Sequence, residues 1–167
     1  MKVFDEKFKS NKARYIFQCL LATLCVFVVL LILDAMTDAA VIAALGASSF
    51  IAFTMPEAQV SRPRFLIGGY LVGIAAGYVC YHLSLIPWLA QLSIIQERSS
   101  VVFGALAVGL AILVMVVTDT EHPPAAGLAL GLVLDEYNHR TVAIVLVGII
   151  SLSLIKAVLK PVLKDLL

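Results

Sequence analysis

The chain has 167 residues, 62% of them hydrophobic and only 14% charged, with a net charge of +1 and a mean hydropathy of +1.03. A soluble domain averages roughly 45–50% apolar and about 25% charged residues, so this balance excludes a water-soluble globular protein and predicts an all-α polytopic bundle in a bilayer. At about 20 residues per helical span, the length leaves room for five or six spans, read as one transmembrane domain over residues 1–167 with no soluble domain attached.

In chain order, residues 1–14 form a basic N-terminus carrying Lys2, Lys7, Lys9, Lys12 and Arg14, while Lys156, Lys160 and Lys164 mark the other end, with residues 161–167 as a short tail. The positive-inside rule places both termini in the cytoplasm and the chain in an inner (plasma) membrane. These basic residues flank spans and are interleaved with Asp5, Glu6 and Asp165, which argues against nucleic acid as a partner. The first apolar run, 15–33, exceeds the usual core of a cleavable signal peptide, about 7–15 residues. It ends at a polar turn whose Asp38 is placed to cap the next helix.

The second run, 39–55, is rich in Ala43, Ala44, Gly46, Ala47, Ser48 and Ser49, a composition suited to lying against other helices. The connection 56–64 holds Glu57, Arg62 and Arg64, with Pro63 set to open the third helix. In the third run, 65–86, Gly69, Gly73 and Gly77 recur at a spacing of four residues. Such a smooth face admits a close backbone, within the protein or between subunits of a homo-oligomer. Trp88 and residues 92–95 suit the outer interface, with His82 beside it. The fourth span, 99–117, again shows small residues: Gly104, Ala105, Ala107, Gly109 and Ala111. A final span is expected over 141–159, preceded by a polar turn in which His139 is solvated.

Between these last two spans lies the most unusual stretch, Thr118-Asp119-Thr120-Glu121-His122-Pro123-Pro124, followed by a short apolar segment, 125–134. Two prolines at a first turn read as a helix start. Ten apolar residues reach only about 15 Å, half a bilayer, so the segment either crosses as a short helix or re-enters. Crossing gives six spans and leaves only Arg98 and Arg140 outside; re-entry gives five and moves Lys156, Lys160 and Lys164 outside. Charge therefore favours six, including one short or broken helix after the His-Pro-Pro triplet. Six spans in two triplets of opposite direction have the form of a 3+3 inverted repeat.

His122-Pro123-Pro124-Ala125 at a span junction, with Gly46-Ala47-Ser48-Ser49, Pro56-Glu57, Arg62-Pro63-Arg64 and Ile67-Gly68-Gly69 before it, resembles the HPP family of integral membrane proteins over roughly residues 15–160. The resemblance implies a helical membrane protein whose plastid and cyanobacterial relatives are linked to nitrite transport.

A helix N-terminus is a ready anion site, and His122 could add a proton or a hydrogen bond, since the unperturbed imidazole pKa is about 6.5. The candidate substrate or ion site therefore comprises His122, Pro123, Pro124, Thr118, Asp119, Glu121, Ser48, Ser49, Arg62, Arg64 and Glu57, the hydroxyls acting as donors. Asp119, Glu121 and Glu57 would repel an anion unless they pair with Arg62 and Arg64 or relay protons, and a proton or cation pathway through them is an alternative. A further alternative is a structural or sensory module whose motif only fixes the fold. No HExxH, GxSxG or paired-Asp motif is present, so no enzyme is expected. Cys19, Cys25 and Cys80 fall in apolar runs without ligand spacing, so neither a disulfide framework nor a metal or other cofactor is expected.

Overall fold

The computed structural model of the chain describes residues 6–33, 39–90, 99–135 and 137–166. Six helices longer than ten residues, with no strand among the described residues, carry the fold: α1 (Glu6–Leu33), α2 (Ala39–Thr54), α3 (Pro63–Ser84), α4 (Ser99–Thr118), α5 (Pro123–Leu134) and α6 (His139–Leu159). A 3-10 turn at Gln59–Ser61 and a helical turn at Pro87–Ala90 join them. α3, α4 and α6 are long and apolar enough to cross a membrane, and α5 is a shorter apolar helix. The helix of the first span begins earlier than its apolar run, because the basic residues before Tyr15 continue the helix across a kink at Asn11. The expected cap at Asp38 and the interfacial stretch 92–95 lie outside the described residues.

The bundle has two chemically distinct ends. At one lie the starts of α1 and α3 and the ends of α2, α4 and α6, with Lys12, Arg14, Arg62, Arg64, Lys156, Lys160 and Lys164; this is the basic end. At the other, Tyr78, Tyr81 and His82 of α3 meet Tyr137 and His139. The rings of Tyr78 and His82 are 4.1 Å apart, and Tyr137 stands edge-on to Tyr78 at 5.1 Å and to His139 at 5.4 Å. Amphipathic rings gathered at one level of a bundle suit a membrane–water interface. His139 is exposed, as its position in the sequence suggests, but it opens α6 instead of lying in a loop.

α5 is the hub. It runs parallel to α3, packs on α3 and α4, and meets α2 on its other side. The α3 glycines make that approach possible. A methyl group at Gly69 would lie 2.5 Å from His122 Cβ, one at Gly73 2.4 Å from the Ala125 carbonyl oxygen, and one at Gly77 3.0 Å from Leu132 Cβ. All three glycines are buried against α5 inside the protein. The four-residue row is therefore taken up by a helix of the same chain. Gly104 of α4 and Gly131 of α5 make equally close passages, against Leu130 and Ala40.

With twelve residues α5 is about 18 Å long, and it starts opposite Gly69, roughly 9 Å along α3 from the Pro63 end. It finishes near the aromatic end, from which α6 returns to the basic end. The segment thus passes between levels as a short crossing helix rather than a hairpin. The packing partners also carry a symmetry. Exchanging α1 with α4, α2 with α5 and α3 with α6 turns α3–α5 into α6–α2, α3–α4 into α6–α1 and α4–α5 into α1–α2. The remaining pairs, α2–α5 and α3–α6, map onto themselves. Since the two triplets start from opposite ends, the main packing pattern is that of a 3+3 inverted arrangement.

Side chains close the end of α2 and the start of α6. The last carbonyls of α2 have no intrahelical partners. Gln18 of α1, 1% exposed, donates to Phe53 O at 2.7 Å and to Lys164 O at 2.9 Å, and Leu166 N donates to Thr54 O at 2.8 Å. The tail is further held by Tyr15, whose hydroxyl donates to Leu166 O, and by Glu57 N, which donates to Asp165 Oδ1 at 3.0 Å. At the other end Asn138 caps α6, accepting from Arg140 N at 2.8 Å. Replacing Asn138 with alanine should cost about 1 kcal/mol of stability, read as a lower unfolding midpoint of the purified protein; an unchanged midpoint would show that the cap is dispensable.

Candidate functional site

The chain leaves α4 through a sharp reversal. Asp119 adopts a left-handed conformation with φ 54°, one that Asp and Asn tolerate better than most residues, and Thr120 N reaches back to Met115 O at 3.0 Å. This turns residues 120–122 into the bundle, where His122 lies in extended conformation just ahead of α5 with 0% of its surface exposed.

Three elements converge on its ring. Nε2 lies 2.8 Å from Ser48 Oγ of α2, which in turn lies 2.8 Å from the hydroxyl of Tyr70 on α3. Nδ1 lies 3.2 Å from the carbonyl oxygen of Val60 in the 3-10 turn. A carbonyl only accepts, so Nδ1 carries the hydrogen, and in a neutral ring Nε2 is the acceptor. Ser48 then donates to His122, and the second lone pair of Ser48 accepts from Tyr70. The hydrogens run one way: Tyr70 to Ser48 to His122 to Val60.

The turn that supplies Val60 is itself anchored from α6. The Lys156 ammonium, 6% exposed, donates to the Ser61 carbonyl and, at 2.6 Å, to Ser61 Oγ. That hydroxyl passes its own hydrogen to Pro56 O at 2.9 Å. No buried side-chain nitrogen or oxygen among the described residues lacks a partner. In a bilayer, where water cannot satisfy such groups, a connected polar cluster of this kind holds its members in one geometry.

The other expected site residues divide. Pro123 and Pro124 have no N–H, and the Ala125 N–H donates to the His122 carbonyl at 2.9 Å. The start of α5 therefore presents far fewer donors than a generic helix N-terminus, and its polarity toward a ligand comes from the His122 side chain. Glu121, half-buried, shares with His122 and Pro123 a cavity of about 360 Å³ whose other walls, Ile112, Met115, Val116 and Ala126, are apolar. Asp119 is exposed and faces Arg64 at 3.5 Å, while Arg64 also donates to Thr118 O at 3.0 Å. A cation at the end of α4 is favourable, although an exposed pair of this kind is worth little, roughly 0–1 kcal/mol.

Ser49 and Thr118 donate to helix carbonyls one turn back, Leu45 O and Val114 O. Arg62 and Glu57 stand apart from His122 and line a second cavity beside Lys156. Of the residues expected from sequence, Ser48 alone touches the histidine side chain by a hydrogen bond.

Tyr70, Val60, Ser61, Lys156 and Gln18 were not singled out by the sequence. Lys156 reads there as one of a row of orienting charges, and Tyr70 as one apolar-run aromatic among several. One cue existed: Tyr70 follows Gly69 directly, so its ring lies beside the point of closest approach between α3 and the His122 segment. No group of three or more His, Cys, Asp or Glu side chains poised for a metal occurs among the described residues.

No curated protein and no solved structure matches the chain. The family model described as "HPP, transmembrane region" matches residues 8–164. That span takes in all of α2–α6, the buried His122-Pro123-Pro124 junction and the α3 glycines on which it rests, and the chain belongs to the HPP family of integral membrane proteins.

Proposed function

We propose that this protein carries a small solute across the bilayer, that its cargo is a small inorganic anion with nitrite as the leading candidate, and that His122 is its protonatable centre. The observation that carries the reading is the hydrogen-bonded chain Tyr70–Ser48–His122–Val60, extended through Ser61 to Lys156, inside an otherwise apolar six-helix bundle. Ionisable groups held within a membrane bundle are costly and by default mark ion or proton pathways. The inverted packing pattern supports the same reading, because transporters of that architecture place their sites at the interface between the two repeats. His122 stands where α2 of one triplet meets α5 of the other.

The polarity of the chain supplies a mechanism for coupling. A proton arriving on Nε2 makes His122 a donor on both sides, so Ser48 must accept from it and donate to Tyr70. The Tyr70–Ser48–His122 part of the wire reverses, while Nδ1 still donates to the Val60 carbonyl. His122 thus has two hydrogen-bonded states that differ by one proton, and an anion entering from the Glu121 side meets a cation in one of them only. The excess of Lys and Arg at the basic end supports placing that end, and both termini, in the cytoplasm of an inner membrane, where it would also concentrate anions.

A second reading has an observation of its own: both ring nitrogens already have partners inside the protein, as they would if His122 only locked α5 in place. Purified protein in liposomes separates the two. Nitrite uptake should rise when the external solution is acidified, and His122→Ala should abolish uptake while the protein still extracts as a monodisperse, helical species. Absence of flux for nitrite and other small anions in the unmodified protein would sink the transport reading, and collapse of the fold in His122→Ala with flux retained in Ser48→Ala would favour the structural one.

A further inference from the structure

Apart from the His122 cavity, the basic end holds a cavity of about 530 Å³ between the 56–63 connection and the last two turns of α6. Its polar lining consists of Arg62, Lys156, Lys160, Ser153 and Glu57. The groove between α3 and α4 is by contrast walled by aliphatic side chains, and the groove between α1 and α2 carries no charged side chain among the described residues. We propose that this cavity is a binding site for a phosphate-class oxyanion, either free phosphate or the phosphodiester of a lipid headgroup.

Four features carry the assignment. Lys156 has three N–H donors, and Ser61 takes two of them; the third is left for the cavity. The Ser153 hydroxyl, one turn earlier on α6, and the side chains of Arg62 and Lys160 make no hydrogen bond or ion pair with the described residues. The charges of Lys160 and Arg62 both act repulsively on Lys156, so three cations are held together at a cost that a bound anion offsets. Two carboxylates lie nearby, Glu57 on the cavity wall and Asp165, which acts attractively on Lys156 and accepts from the Glu57 backbone N–H, so the three cations still outnumber them.

The set also matches a tetrahedral oxyanion better than a small planar one. A guanidinium offers a fork for two oxygens and an ammonium a point charge for a third, and the cavity lies at the basic ends of α3 and α6, the kind of basic pocket between membrane helices that takes lipid headgroups. The inference does not depend on transport, since it concerns equilibrium binding at residues other than His122.

The test uses the full chain, delipidated in a neutral detergent, with inorganic phosphate as the calorimetric titrant, and in parallel native mass spectrometry in mixed micelles of phosphatidylglycerol and phosphatidylcholine. Saturable phosphate binding, or selective retention of phosphatidylglycerol over phosphatidylcholine, supports the site. Phosphate without lipid selectivity names the free anion as ligand; lipid retention without phosphate binding names the headgroup. In either case the double variant Arg62→Gln/Lys160→Gln, which alters only exposed side chains, should weaken binding at least tenfold, whereas Arg140→Gln, which removes an exposed cation at the opposite end of the bundle, should leave it unchanged. Neither ligand binding, or binding undiminished in the double variant, overturns the proposal.

Discussion

Gly73→Ala should destabilise the protein by about 1–3 kcal/mol, the usual cost of forcing extra atoms into a packed interior, while Gly109→Ala should leave it unchanged or raise its stability by up to about 1 kcal/mol, the helix-propensity difference between the two residues. The reason lies in what each new methyl group meets. At Gly73 it would stand 2.4 Å from the Ala125 carbonyl oxygen and 3.1 Å from its carbon, so two backbones must separate; at Gly109 nothing lies within 4 Å. Both residues are in the interior of long apolar helices, so intrinsic propensity predicts the same sign for both, and only the α3–α5 contact predicts opposite signs. Reversible unfolding of the purified variants in detergent measures the difference. Equal effects would mean that α5 does not lie against α3 at this distance. Because α5 begins only two residues before Ala125, Gly73→Ala should also displace His122 and reduce solute flux more than its loss of stability explains.

The same contact shows where sequence reasoning reaches and where it stops. Apolar runs place the helix ends within two residues, except that α1 begins nine residues before its run because basic residues continue the helix outside the apolar stretch. The proline pair located the start of α5 because a residue without an N–H is tolerated there and hardly anywhere else in a helix. The glycine spacing announced a close backbone, but a spacing names no partner: a second subunit and a helix of the same chain leave the same signature. Lys156 is the sharper case. Its position three residues from the end of α6 is where an orienting lysine would stand, and nothing in its neighbours along the chain distinguishes it from Lys160 or Lys164. It is buried only because the 56–62 connection folds over the end of α6 and brings a carbonyl and a hydroxyl of Ser61 to its ammonium. Tyr70 and Val60 escaped for the same reason, as their hydrogen-bond partners stand 22 and 62 positions away in sequence. The histidine was legible as a candidate, its partners were not.

That anchoring makes a second large effect measurable. Lys156→Met keeps the aliphatic track of the side chain, removes a repelling charge beside Arg62 and Lys160, and leaves the Ser61 carbonyl without its donor; Ser61 Oγ can still donate to Pro56 O. An unpaired buried acceptor costs about 1–3 kcal/mol, but hydrogen bonds between membrane helices average nearer 0.6 kcal/mol, and relief of like-charge repulsion offsets part of the loss. The expected net destabilisation is about 1 kcal/mol. The coupling to His122 is the informative quantity. Lys156 fixes the turn whose Val60 carbonyl receives the His122 Nδ1 hydrogen, so once the turn is released, removing the imidazole should cost less than it does in the intact protein. A double-mutant cycle of Lys156→Met and His122→Ala, read from unfolding free energies in the same detergent, should show an interaction of about 0.5–3 kcal/mol, the range for residues sharing one network. Additivity within about 0.3–0.5 kcal/mol would make the two residues separate anchors and break the polar chain at Val60. A measured coupling would mean that an event at the basic cavity, where Lys156 holds its remaining donor, is felt at the buried histidine through one rigid turn.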